Sequence, residues 1–123
     1  MGRVLLVDHD WFAREPLALF AQSWSHEVEQ ANDAAEALEK LSSFRPHVLV
    51  TNRGLPGPDG EELVRMIRQR GDTWTFIICL TGYTDEPTLR RVRDAGCDLV
   101  LTKPVDTDRL QQGIAEGCAR AGA

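Results

Sequence analysis

Four short apolar runs punctuate the chain: Val4 to Val7, Val48 to Val50, Phe76 to Leu80 and Leu99 to Leu101. Each is of strand length and nearly continuous, the pattern of a strand buried on both faces. A fifth segment, Glu27-Val28-Glu29-Gln30-Ala31, alternates instead and suits a strand nearer a sheet edge. Helical patterns lie between them. The first runs roughly from Trp11 to Ser23, where Pro16 must sit in the first turn or kink the helix. Asp33-Ala34-Ala35-Glu36 has capping-box spacing, with Leu38 and Leu41 continuing an apolar face. The next helix opens after Asp59-Gly60, with Leu63, Met66 and Ile67 inward and Glu61 placed to pair with Arg65. Thr84 is expected to cap the fourth, with Pro87 in its first turn, and Asp106 the fifth, which carries Leu110 and Ile114. Strand and helix alternating five times predict a parallel sheet covered on both faces, with right-handed crossovers.

At 123 residues the chain has room for one core, and domains cluster at about 100–150 residues. We expect one domain over residues 1–119 and a small, polar stretch, 120–123, that frays or begins a linker of a longer protein. The net charge of −5 argues against direct binding of nucleic acid, which takes a concentrated basic surface. No run approaches the roughly 18 apolar residues of a membrane span, so no membrane insertion is expected. The apolar part of the N-terminus is too short for a secretory signal, and the default location is the cytoplasm. Cys79, Cys97 and Cys118 match neither a zinc pattern nor a disulfide framework. Cys79, inside an apolar run, reads as a small buried hydrophobe.

In an open α/β sheet, ligands bind beyond the carboxyl ends of the strands. There the first strand delivers Asp8-His9-Asp10, the third Thr51-Asn52-Arg53, the fourth Thr81-Gly82 and the fifth Thr102-Lys103-Pro104. Acids, an amide, a hydroxyl and a lysine converge on one polar rim. Under a purely structural reading, Asp8 pairs with Lys103, Thr81 bonds nearby backbone and Asp10 caps the first helix.

Val7-Asp8-His9-Asp10, Pro46-His47-Val48-Leu49-Val50-Thr51-Asn52, Leu55-Pro56-Gly57-Pro58-Asp59-Gly60, Leu80-Thr81-Gly82, Ala95-Gly96-Cys97-Asp98 and Lys103-Pro104 come in an informative order. Over essentially its whole length the chain resembles the receiver domain of bacterial two-component response regulators. The resemblance implies a flavodoxin-like (CheY-like) α/β fold, a five-stranded parallel sheet in the order 2-1-3-4-5 with five helices. It also implies a phosphorelay site. Two acids after the first strand and an aspartate ending the third bind Mg²⁺, and that aspartate accepts a phosphoryl group from a histidine kinase. A hydroxyl and a lysine then hold the phosphoryl oxygens. Asp8 matches the first acid, Thr81 the hydroxyl and Lys103 the lysine.

Three positions depart from that pattern. Asn52 stands at the phosphoacceptor position, and a carboxamide is a poor nucleophile and at best a weak ligand. His9 replaces the second acid, although imidazole suits zinc, copper or nickel better than magnesium. Asp10 is the alternative ligand. Three carboxylates against one lysine become Asp8 against Lys103, so Mg²⁺ binding is expected to be weak or absent. Val100 stands where the family often carries an aromatic switch residue. Arg90, Arg91 and Arg93 make one side of the fourth helix basic, either as a solvated face or as the docking region used in this family.

The expectation is therefore a degenerate receiver, not an enzyme, that signals by binding a histidine kinase, an output domain or another receiver; pairing with a second copy stays open. The alternative is a conventional Mg²⁺-dependent receiver whose aspartate was replaced by Asn52, through engineering or recent loss. A third reading, a small metal- or flavin-binding domain, fares worse. Asp8-His9-Asp10-Trp11 is acidic and bulky where a phosphate-cradling loop is needed, and a transition-metal site at Asp8, His9 and Asp10 has no second support.

Overall fold

The computed structural model describes residues 2–122. β1 (Arg3–Val7), β2 (Glu27–Ala31), β3 (Val48–Asn52), β4 (Phe76–Thr81) and β5 (Leu99–Thr102) form one parallel sheet in the order β2-β1-β3-β4-β5. Between and after them run α1 (Trp11–Ser23), α2 (Ala34–Ser43), α3 (Gly60–Gln69), α4 (Glu86–Asp94) and α5 (Thr107–Arg120). The sheet order and the five helices agree with the sequence expectation, including the edge position of the alternating strand β2.

The continuous apolar runs follow from burial on both faces. Val4, Leu6, Val48, Val50 and Ile78 pack with Ala18 of α1 and with Leu110 and Ile114 of α5. Their neighbours Leu5, Val7, Leu49 and Ile77 turn to the other face, against Ala34 and Ala37 of α2 and Leu63, Val64 and Ile67 of α3. Each fully buried Leu or Ile contributes about 1.5–3 kcal/mol relative to exposure. With the sheet held this way, the carboxyl ends of β1, β3, β4 and β5 present their next residues along one rim.

Several local expectations are corrected. Asp85, not Thr84, caps α4: its carboxylate accepts from the Thr88 amide at 3.0 Å and the Thr88 hydroxyl at 2.7 Å. A carboxylate three residues before a threonine can satisfy two donors at once, which the Thr84 hydroxyl cannot. Pro16 lies in the second turn of α1, so of the two alternatives offered for it the first-turn position does not hold. The intrahelical donor it removes would have served the carbonyl of Phe12, on the exposed side of the helix where solvent can replace it. In α3 the buried stripe is Gly60, Leu63, Val64 and Ile67, and Met66 falls off it and is half-buried. In α2, Leu38 and Leu41 continue the apolar face as expected, half-buried against the cluster that Ala34 and Ala37 enter fully. The caps Asp10, Asp33, Asp59 and Asp106 all accept backbone amides of the turns they start. α5 continues to Arg120, one residue into the expected tail; Ala123 at one end and Met1 at the other lie outside the described residues. Among the described residues no helix is long and apolar enough to cross a membrane.

Candidate functional site

The rim is built on a tight turn after β1. The buried Asp8 carboxylate accepts the Asp10 amide at 3.0 Å, and the Asp10 carboxylate accepts the Phe12 amide at 3.0 Å. One acid therefore shapes the turn, and the next starts α1. His9 between them points outward, with its side chain 57% exposed and Nδ1 3.7 Å from Asp8 Oδ1.

Asn52 ends β3 and fills the middle of the rim. Its Oδ1 accepts Lys103 Nζ at 2.5 Å, while Nδ2 donates to the Gly54 carbonyl at 2.8 Å and lies 3.5 Å from Asp8 Oδ1. Turning the amide over would set its NH₂ against the ammonium, so this network fixes the orientation. Lys103 is thus held by Asn52, and not by Asp8 as one structural reading of the sequence had it. The Lys103 amide donates to the Thr81 carbonyl at 2.8 Å, and the peptide bond to Pro104 is cis. Thr81 is buried, and its hydroxyl accepts the Tyr83 amide at 3.1 Å.

Two residues to which the sequence reading gave no part in the site hold this rim in place. Arg14 of α1 is 7% exposed. Its Nη1 donates to the Asp8 carbonyl at 2.6 Å and to Asn32 Oδ1 at 2.7 Å, and its Nε to Gln30 Oε1 at 2.6 Å. It fastens the ends of β1 and β2 together. The signal was available: residues 14, 18 and 21 form the inward stripe of α1, so an arginine there must find buried partners. Glu61 was read only as the partner of Arg65. Its side chain, 11% exposed, pairs with Arg65 and also lies 3.6 Å from both Arg53 and Arg91. Burial pushes its carboxyl up, but the Arg65 hydrogen bond and the charges of Arg91 and Arg53 together hold it below the usual carboxylate range.

Further out, Arg53 lies over the ring of Tyr83, 5.5 Å from its centre. The basic face of α4 is partly committed: Arg91 faces Glu61, and Arg93 lies 3.4 Å from Glu86 of its own helix. Arg90 is exposed, and Val100 is half-buried on β5, in register with Cys79. Cys79 is fully buried, and its contact with the Cys97 sulfur together with burial pushes its thiol up, in keeping with an inert packing residue. Behind the rim, a cavity lined by Asp8, Arg14 and Asn52 measures only about 10 Å³. That cavity is too small for more than about one water molecule.

A doubly wound parallel sheet thus carries acid, amide, hydroxyl and lysine together at the carboxyl ends of its strands. Residues 4–115 match the family described as response regulator receiver domain. An uncharacterized response regulatory protein of Vibrio cholerae is 38% identical over 116 residues, covering 93% of this chain and 47% of its own length. The response regulator MprA of Mycobacterium ulcerans is 36% identical over 108 residues, 88% of this chain and 46% of its own length. Among solved structures, the receiver domain of the Francisella response regulator 1452 superposes with a TM-score of 0.93 at 23% identity, covering 98% of this chain and 99% of that one. The chemotaxis protein CheY4 of Vibrio cholerae superposes with a TM-score of 0.87 at 28% identity, covering 94% and 98%. The chain belongs to the response regulator receiver domain family of two-component signal transduction. It spans about half the length of the curated relatives it matches.

Proposed function

We propose that this domain is a degenerate receiver that signals by binding and does not accept a phosphoryl group at the usual position. The observation that carries the reading is the amide of Asn52, with Oδ1 taken by Lys103 and Nδ2 by the Gly54 carbonyl. An acyl phosphate needs a carboxylate oxygen as nucleophile, and a neutral carboxamide supplies none. The donor set also does not fit Mg²⁺, which favours several hard anionic oxygens. Asp8 offers one carboxylate, Asp10 is committed to capping α1, and His9 points outward. In this reading no catalysed phosphoryl transfer occurs here. The partners are a histidine kinase, an output domain or another receiver, met in the cytoplasm through α4, β5 and α5. Arg90 is an exposed charge there, Val100 changes the β5 surface, and a second copy of the chain is a further candidate. The module closes with α5, which runs to Arg120.

A second reading has one observation in its favour. Lys103 reaches Asn52, and Thr81 ends β4 on the same rim, which supports a site whose single lesion is Asn52. Intact mass after incubation with acetyl phosphate and Mg²⁺ separates the two, run beside Asn52→Asp. We expect neither form to gain a phosphoryl group. A gain by the variant alone would establish the second reading, and a gain by the unaltered chain would overturn both.

A further inference from the structure

The opposite end of the sheet is shaped differently. A groove of about 770 Å³ lies where β1, β3 and β4 begin, a size typical of small-molecule sites, which run to about 300–1,000 Å³. Its cationic lining is Arg3, Arg45 and Arg120, in a chain whose net charge is −5. Trp74, 74% exposed, stands beside them. A second hollow of about 310 Å³ shares Arg45 and Trp74 and adds Arg70.

The two acids of the groove are already used. Asp72 accepts the amides of Trp74 and Thr75 and the Thr75 hydroxyl, and Asp98 accepts Arg68 and the Ile77 amide. The cations are less committed. Arg3 gives its Nε to the carbonyls of Phe44 and Arg45, leaving its terminal nitrogens. Arg120 is the most committed of them, pairing at 2.9 Å with Glu116 one turn back on α5 and lying over the Phe76 ring, 5.1 Å from its centre. Arg45 has no side-chain partner among the described residues, and its backbone is held at φ +53°, uncommon for a residue other than glycine. His47 accepts the Arg3 amide on Nδ1 at 2.9 Å, which leaves the proton of the neutral ring on Nε2 as a donor. Burial holds this ring below its usual pKa and so keeps it neutral.

Helix C-termini attract cations and repel anions, and α2, α3 and α5 all end here, so an anion in the groove must be held by the guanidinium groups against that field. The field accounts for Arg3 and Arg120. It does not account for an unpaired Arg45 or for an indole left in water beside it. Guanidinium forks suit phosphate oxygens, and an exposed indole suits a planar base.

We propose that this groove binds a mononucleotide carrying two or three phosphates, its base stacked on Trp74 and its phosphates met by Arg45 and the terminal nitrogens of Arg3. The site is independent of the reading of Asn52.

Calorimetric titration of the whole chain with ATP and with GTP tests this, with inorganic pyrophosphate and adenosine as separate probes. At least one nucleotide should bind saturably, with a Kd below about 1 mM. Trp74→Ala and Arg45→Asn should each weaken it about tenfold or more, with the thermal midpoint unchanged. Asparagine is chosen because it tolerates the backbone conformation of Arg45. Adenosine should bind far more weakly than ATP. Three results would overturn the proposal: no saturation by either nucleotide, binding indifferent to both substitutions, or pyrophosphate binding as tightly as ATP. An acidic peptide that binds where nucleotides do not would assign the groove to a protein partner instead.

Discussion

Arg14 and Arg45 mark opposite ends of one sheet and live under opposite conditions. Arg14, enclosed behind the rim, spends its guanidinium on the Asp8 carbonyl, Asn32 and Gln30. Arg45, at the other end, has no side-chain partner among the described residues. The same contrast holds around them. At the rim, Asp8, Asn52, Thr81 and Lys103 satisfy one another or nearby backbone, whereas at the far end the acids are consumed and cations remain. A polar constellation that completes itself is held as structure; one left incomplete has capacity for something else.

The largest effect expected from breaking this contrast is at Arg14. Arg14→Met should cost about 2–3 kcal/mol, because buried acceptors lose their donor, and chemical denaturation would measure it. A loss no greater than at an exposed arginine would mean that the rim is not locked by this residue. Gly60→Ala comes next. A Cβ there would clash with the Asn52 carbonyl and lie 2.8 Å from Arg53 Cα, so α3 or the end of β3 must shift. The expected cost is about 1–3 kcal/mol, read as a lower midpoint in urea, with the Asn52 side-chain amide resonances displaced.

The far end should answer to pH. His26 and His47 accept the backbone amides of Gly2 and Arg3, and burial, helped for His47 by the Arg3 charge, lowers both from the ordinary 6.5. The unfolded chain therefore takes up protons before the folded one does. This contribution is complete above about pH 6.5 and is lost as the pH falls below it. Thermal midpoints followed from about pH 8 to pH 5 should drop on the acid side, and less so in a His26→Asn, His47→Asn variant. An equal drop in that variant would assign the acid sensitivity to carboxylates. The smallest effect is at Arg45→Asn, below about 0.5 kcal/mol.

The strands were legible because burial on both faces forces continuous apolar runs, and Glu27 to Ala31 alternates because β2 is an edge. The order of the strands came from the resemblance; periodicity says nothing about it. The cap of α4 was misplaced by one residue because Thr84 and Asp85 are both capping types, and only the reach of the Asp85 carboxylate to Thr88 distinguishes them. At the rim, the residue types were readable but their pairing was not. Whether Lys103 reaches Asp8 or Asn52 depends on side-chain paths across three strands. Arg14 was readable in principle from its place on an inward stripe, while the wider role of Glu61 depends on Arg91 of α4 and Arg53 after β3 coming within reach of α3. The far groove left no sequence signal, since Arg3, Arg45, Trp74 and Arg120 are scattered along the chain.

Glu61 has a consequence for how the domain opens. One carboxylate on α3 answers to Arg65 on its own helix, to Arg53 at the end of β3 and to Arg91 on α4. Moving α4 away leaves a largely buried anion with one cation fewer, and loosening α3 releases all three cations at once. Such a hub favours concerted opening over fraying piece by piece. Amide protons in α4 and in the first turn of α3 should therefore exchange with solvent together, at one common free energy, while those at the exposed end of α1 exchange on their own schedule.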